Sequence, residues 1–238
     1  SGREYFYWDK GSRSGEVVLK LFNGYQGALQ TDGYERYELL DGKKGIILLS
    51  CWAHARRKFS DAIKNDRERA ESALEQIQLL YEVERQIKDQ ALCFEEAAKL
   101  RVRLAYPIMV RFEKWLVAEH AKVIKGSPIE KAILYTYNRF NKLSRYHLDG
   151  RYNIDNNGIE NAARPVAVGR KNYLFCQNDD TAESTAIIYS FMGCCKAAKV
   201  NFRTWMIYFL DHVHDYDQDY TRDIAELLPD NLKDAGVL

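Results

Sequence analysis

Apolar residues recur along this chain with more than one rhythm, and each rhythm predicts a kind of element. Tyr5-Phe6-Tyr7-Trp8 is an aromatic run of strand type, closed by the turn chemistry of Asp9-Lys10-Gly11-Ser12. From Ser14 to Phe22 the apolar positions Val17, Val18, Leu21 and Phe22 repeat with helical spacing, and Asn23-Gly24 stops the helix. Gly27 to Thr31 reads as a short strand ending at Asp32-Gly33, so the order strand, helix, strand predicts a crossover between parallel strands. Tyr34 to Leu40 predicts a short helix. Ile46-Ile47-Leu48-Leu49 is fully apolar, the pattern of a strand buried on both faces, and it runs into a helix over Cys51 to Phe59 with Arg56, Arg57 and Lys58 on a basic side.

From Arg67 to Tyr146 the period is helical throughout. One stripe holds Ala70, Ala73, Leu74, Ile77, Leu80, Tyr81 and Ile87, and a second runs from Phe94 to Trp115 with Pro107 expected to kink or divide it. Ser127-Pro128-Ile129-Glu130 is a capping box opening a third helix. Each stripe reads as core, and none carries a catalytic pattern. Asp149-Gly150 ends this region, and Asn156 to Pro165 predicts a short helix capped by Asp155 or Asn156 and ended by Pro165. Val166 to Phe175 reads as a basic turn around Gly169-Arg170-Lys171-Asn172, able to seat a phosphate backbone or to serve as a polar connection. Asp180 with Glu183 is placed to cap a further helix through Ala186, Ile187, Phe191 and Cys194, and an apolar Trp205 to Leu210 segment precedes an acidic tail.

Composition narrows the classes. With 238 residues and 46% hydrophobic content the chain can fill a core, and its formal charge of +1 means that any nucleic-acid contact must come from local patches. Five cysteines, two of them adjacent, and no apolar run of membrane-spanning length favour a reduced, cytoplasmic setting without a membrane partner. Cys51-Trp52-Ala53-His54 has the spacing of half a zinc site, but no second half complements it. A Gly-x-Ser-x-Gly nucleophile motif and a Walker phosphate loop are both absent.

The carboxylates remain. Asp32 stands at a strand end, where open α/β sheets place functional acids, and Glu160 shares a helix face with Asn156 and Asn157, with Arg164 next along it. Taken alone, the helix favours reading Glu160 as a surface glutamate paired with Arg164; Asp32 at the strand end is what shifts the balance.

Leu29 to Tyr34, Cys51 to Phe59, the block Ile154 to Asn172 with its Asn-Asn-x-x-Glu-Asn-x-x-Arg-Pro core, and Ala186 to Ser190 together resemble the insertion-sequence-66 family of bacterial transposases. The resemblance extends to a C-terminal extension over Tyr189 to Lys233. It implies an α/β fold with a ribonuclease-H-like core, incomplete at its N-terminal side, a large all-helical insertion and a helical C-terminal extension. The implied divisions are 1–60 for the partial core, 61–150 for the insertion, 151–190 for the return to the core and 191–238 for the extension. It also implies DNA transposition by metal-dependent strand cleavage and transfer of the DDE type. Asp32 matches the second Asp and Glu160 the Glu, both as catalytic residues and as ligands of Mg²⁺ or Mn²⁺. Arg56, Arg57, Lys58, Arg164, Arg170 and Lys171 are the expected DNA contacts, with His54, Asn156 and Asn157 in support. Expected partners are transposon ends and target DNA, further copies of the chain and other products of the same element. The first Asp is expected upstream of this chain, Asp9 being a poor substitute, and the polypeptide alone is expected to be an incomplete catalytic core. The alternative is a non-catalytic DNA-binding or oligomerisation remnant.

Overall fold

Two parallel strands, β1 (Gly27–Thr31) and β2 (Ile46–Ser50), pair in a register that sets Thr31 opposite Ser50. They belong to a computed structural model that describes residues 2–173, 176–219 and 221–238. The chain divides into two compact units, Ser14–Asn157 and Ser1–Arg13 with Gly158–Leu238.

In the Ser14–Asn157 unit, helix α1 (Gly15–Leu21) precedes β1 as its apolar spacing predicts, and a 3-10 segment, Glu35–Leu40, carries the chain from β1 to β2. The parallel crossover is therefore β1 to β2. It does not involve Tyr5 to Trp8, which form no strand. β2 is buried on both faces only over its second half: Leu48 and Leu49 are buried, whereas Ile47 is 41% exposed.

Helices α2 (Trp52–Ala62), α3 (Arg67–Asp89), α4 (Phe94–Leu100), α5 (Tyr106–His120), α6 (Pro128–Asn138) and α7 (Phe140–Ser144) build the rest of this unit. Asp66 caps α3 by accepting from the Arg69 amide at 3.2 Å, and Ser127 caps α6 by accepting from the Glu130 amide at 3.3 Å. The expected capping box is displaced by one residue, because Glu130 Oε2 accepts from Gly126 N and not from Ser127 N. The second stripe is divided where Pro107 predicts: a π-helical turn over Arg101–Ala105 joins α4 to α5, and Pro107, with no N–H to donate, follows it in the first turn of α5.

The core follows the predicted stripes except at Phe94, which opens the second stripe in sequence but is 65% exposed. Trp52 is fully buried, with its ring centroid 6.1 Å from those of Phe112 and Phe140, and its Nε1 donates to the Leu143 carbonyl at 2.9 Å. An aromatic side chain removes roughly 150–250 Å² from water, about 4–6 kcal/mol at 25 cal/mol/Å². The hydrogen bond satisfies the one polar atom that this burial would otherwise strand.

The other unit contains α8 (Asn157–Tyr173), α9 (Asp179–Ala198), α10 (Phe202–Gln218) and α11 (Pro229–Asp234). α8 corrects the sequence reading twice. It passes through Pro165 instead of ending there, and it absorbs Gly169-Arg170-Lys171-Asn172, which form helix and not a turn. Pro165 is exposed, so water can serve the carbonyl that its missing N–H leaves without a helical donor. Leu174 and Phe175, the last residues of that predicted turn, lie outside the described residues. α9 is capped by Asn178, which accepts from the Thr181 amide at 2.8 Å, and not by Asp180, which already lies inside the helix. Lys199, at φ +58°, closes α9 with the Val200 amide donating to the Cys195 carbonyl at 2.8 Å.

Trp205 centres this second core, against Phe191 at 4.7 Å and Phe209 at 5.3 Å, and donates through Nε1 to Leu227 O at 2.8 Å. The supposed tail is thereby folded, since Leu227 and Leu232 are buried in the same cluster. The N-terminal run is extended chain docked on α9. The Phe6 amide donates to Ser190 Oγ at 2.8 Å and Trp8 Nε1 donates to Asp179 at 3.2 Å, which accounts for its aromatic character without a sheet partner. Among the described residues no helix is long and apolar enough to cross a membrane.

Candidate active site and nucleic-acid interface

Asp32 follows the last residue of β1 and is exposed at the carboxyl end of the parallel pair. Its Oδ1 accepts from the Tyr34 amide at 2.9 Å, an Asx-type turn that turns the chain away from the strand. The next residue, Gly33, has φ +85°, and a Cβ there would stand 2.6 Å from the Tyr135 hydroxyl. Glycine takes up that backbone without strain and leaves the approach of the hydroxyl open.

Tyr135 and Arg139, four residues apart near the end of α6, hold this turn from outside. Tyr135 Oη donates to the Asp32 carbonyl at 3.2 Å, and Arg139 donates to the Gly33 carbonyl at 3.1 Å. The Arg139 guanidinium lies 4.3 Å from the Tyr135 ring centroid and the Lys58 ammonium 5.5 Å from it. Burial raises the pKa of the Tyr135 hydroxyl, Arg139 opposes this, and Cys51 and Asp32 add to the rise, so the phenol stays a donor. Sequence reading missed both residues because α6 carries an apolar stripe that reads as core. The available signal was an aromatic and a cation at (i, i+4) beside that stripe.

The Asp155 to Asn157 block reaches the same carboxyl edge through β2. The Trp52 amide donates to Ile154 O at 3.1 Å, and the Asn156 amide approaches Cys51 Sγ at 3.5 Å. Asp155 accepts from Tyr81 Oη at 2.9 Å and from the Asn157 amide and side chain at 3.1 and 2.8 Å. Burial, then the Asp155 carboxylate, push the Tyr81 hydroxyl far up. Asn156 precedes α8 and so does not share a helix face with Glu160; its buried Oδ1 has no hydrogen-bond partner among the described residues. Cys51 is buried, which raises its thiol pKa despite hydrogen bonds from the Asn156, His54 and Ala53 amides, and His54 is half-buried one turn along α2.

The three-cation run is not one patch. Arg56, Arg57 and Lys58 are all exposed on α2, but Lys58 faces Tyr135, whereas Arg56 lines a cleft with Tyr81, Arg85 and Lys88 of α3. In the Gly158–Leu238 part, Glu160 is exposed on the first turn of α8, and Arg164, Arg170 and Lys171 are exposed along it. Arg170 also lines a cleft of about 650 Å³ with Phe6, Trp8, Ala182 and Tyr189, all of the same unit.

Asp32 and Glu160 are hard oxygen donors of the type that suits Mg²⁺, which keeps water and takes one or two carboxylates. Among the described residues no group of three or more His, Cys, Asp or Glu side chains is placed to hold a metal ion.

The sequence profile described as "Transposase IS66 family" matches residues 3–184. Relatives include three uncharacterized proteins of Sinorhizobium fredii (strain NBRC 101917 / NGR234). The protein y4hP is 31% identical across 97% of this chain, y4jD 29% identical across 93%, and y4qI 30% identical across 94%. The chain spans 42–44% of the length of these relatives. No solved structure matches. The profile covers both candidate carboxylates and the Asn-Asn-x-x-Glu-Asn block at the start of α8, and the chain belongs to the IS66 family of transposases.

Proposed function

We propose that this chain is the central and C-terminal part of a DDE-type catalytic region that cleaves and joins DNA strands during transposition, with Asp32 and Glu160 as its metal-holding carboxylates. The observation that carries the reading is the convergence at one sheet edge. Asp32 follows directly on β1, and the segment that leads into the Glu160 helix is hydrogen-bonded at the end of β2. Carboxyl ends of parallel strands are where α/β folds present their chemistry. A ribonuclease-H-like core with the helices between β2 and α8 as its insertion accords with this arrangement.

On this reading Mg²⁺ or Mn²⁺, held by Asp32 and Glu160, supplies Lewis-acid stabilisation of phosphate oxygens. The chain's own residues do the rest. Tyr135 and Arg139 fix the Asp32 turn, Asp155 fixes the entry to α8, and Arg56, Arg57, Lys58, Arg164, Arg170 and Lys171 hold the DNA backbone, with His54, Asn156 and Asn157 supporting the edge. Partners are transposon ends and target DNA, further copies of the chain and other products of the element.

The test is cleavage and joining of a labelled duplex bearing the element's ends, in Mn²⁺, by the complete polypeptide and its Asp32→Asn and Glu160→Gln variants. Activity lost in both variants, with duplex binding retained, is expected. Activity retained in both contradicts the assignment, and binding without metal-dependent chemistry in any version favours the non-catalytic alternative.

A further inference from the structure

We infer that the cleft between α2 and α3 seats the phosphate backbone of duplex DNA, with Arg85 and Lys88 of the helical region joining Arg56 as phosphate contacts. This rests on the DNA reading above and adds to it a surface on α3, a helix whose sequence pattern announces only core. The cleft has a volume of about 640 Å³ and lies wholly within the Ser14–Asn157 unit. Gln78, Tyr81, Arg85 and Lys88 line it from α3, following one helix face, and Arg56 lines it from α2.

Its cations outnumber its carboxylates. Arg56, Arg85 and Lys88 are exposed, and none forms an ion pair among the described residues. The carboxylate in the lining, Glu84, is committed to Arg101 by two hydrogen bonds of 2.8 and 2.7 Å. The nearby Asp155 carboxylate accepts from the neutral Tyr81 and Asn157 and so keeps one negative charge. Three cations on two walls against that single unpaired carboxylate leave the cleft net positive, a pattern complementary to a polyanion.

The kind of anion follows from exposure. Small-ligand sites bury most of the ligand's surface behind a few enclosed polar groups, whereas these cations stand in water at the ends of long side chains. That suits a backbone lying across the surface, held by phosphate contacts that position without reading sequence. Asn157, at the start of α8, also lines the cleft, so a duplex seated there lies alongside the sheet edge already described.

The experiment is equilibrium binding of a short duplex of arbitrary sequence as NaCl rises from about 50 to 200 mM. Wild type is compared with Arg85→Gln/Lys88→Gln and with Arg111→Gln/Lys114→Gln, an equal charge change at exposed positions of α5. Each lost phosphate contact lowers the slope of log K against log salt by about 0.9, so the cleft pair should flatten it by about 1.8 while the α5 pair leaves it unchanged. Far-ultraviolet circular dichroism checks that helix content is equal in all three. A slope unchanged in the cleft pair, or lowered equally in both pairs, overturns the inference and leaves the DNA reading standing. Absence of duplex binding by wild type overturns both.

Discussion

The Tyr135 hydroxyl donates to the Asp32 carbonyl at 3.2 Å, so a side chain 103 residues downstream holds the strand end that presents the candidate carboxylate. The helical region therefore supports the Asp32 strand end directly and is not only a spacer between two acids. Tyr135→Phe removes one net hydrogen bond, about 0.5–1.5 kcal/mol of stability by urea denaturation. Gly33→Ala costs more, about 1–3 kcal/mol, because it puts a side chain on a φ of +85° and drives Cβ against Tyr135 and Arg139. Equal stability of Gly33→Ala and wild type would contradict the described turn.

Acid should unfasten the helical region through Asp66 and Glu119. The hydrogen bond from Arg69 holds Asp66 below its ordinary 3.8, and hydrogen bonds from Lys122 and Arg69 hold Glu119 below 4.5 against the opposing effect of burial. A folded-state pKa below the unfolded value stabilises at pH above the unfolded value, and that stability is lost as pH falls through the folded one. Thermal midpoints should thus decline below about pH 4.5, and the decline should be shallower in Arg69→Met, which lacks the shared cation. Identical pH profiles would show that Arg69 does not link the start of α3 to Glu119.

Thiol reactivity separates the cysteines by burial. Cys93 is exposed, whereas burial raises the Cys51 thiol, and burial followed by Cys194 pushes Cys195 up to about 11. At about pH 8 a maleimide should label Cys93 at least an order of magnitude faster than Cys51 or Cys195, read by peptide mass spectrometry. Rapid labelling of Cys51 in the folded protein would mean that the β2 to α2 junction is open.

Much of this was legible in the sequence, and the misses share a cause. The helical stripes, the strand ending at Asp32 and the passage from β2 into a basic helix follow from period and turn residues, which are local. Tyr5 to Trp8 has strand composition but finds its partners on α9, a contact that no local pattern reports. Pro165 signals a helix end, yet an exposed α8 tolerates the lost hydrogen bond. Tyr135, Arg139, Arg85 and Lys88 carry no local signal of a role, because their significance depends on which element lies opposite.

Iron-directed backbone cleavage tests the central assignment most directly. With Fe²⁺ in place of Mg²⁺ and ascorbate with peroxide present, hydroxyl radicals cut the polypeptide next to the bound ion. An ion held by both carboxylates gives cuts close to residues 32 and 160, both suppressed by excess Mg²⁺ and both lost in Asp32→Asn and in Glu160→Gln. Cuts confined to other segments, or cuts near one residue that persist when the other is replaced, would contradict a metal held by Asp32 and Glu160.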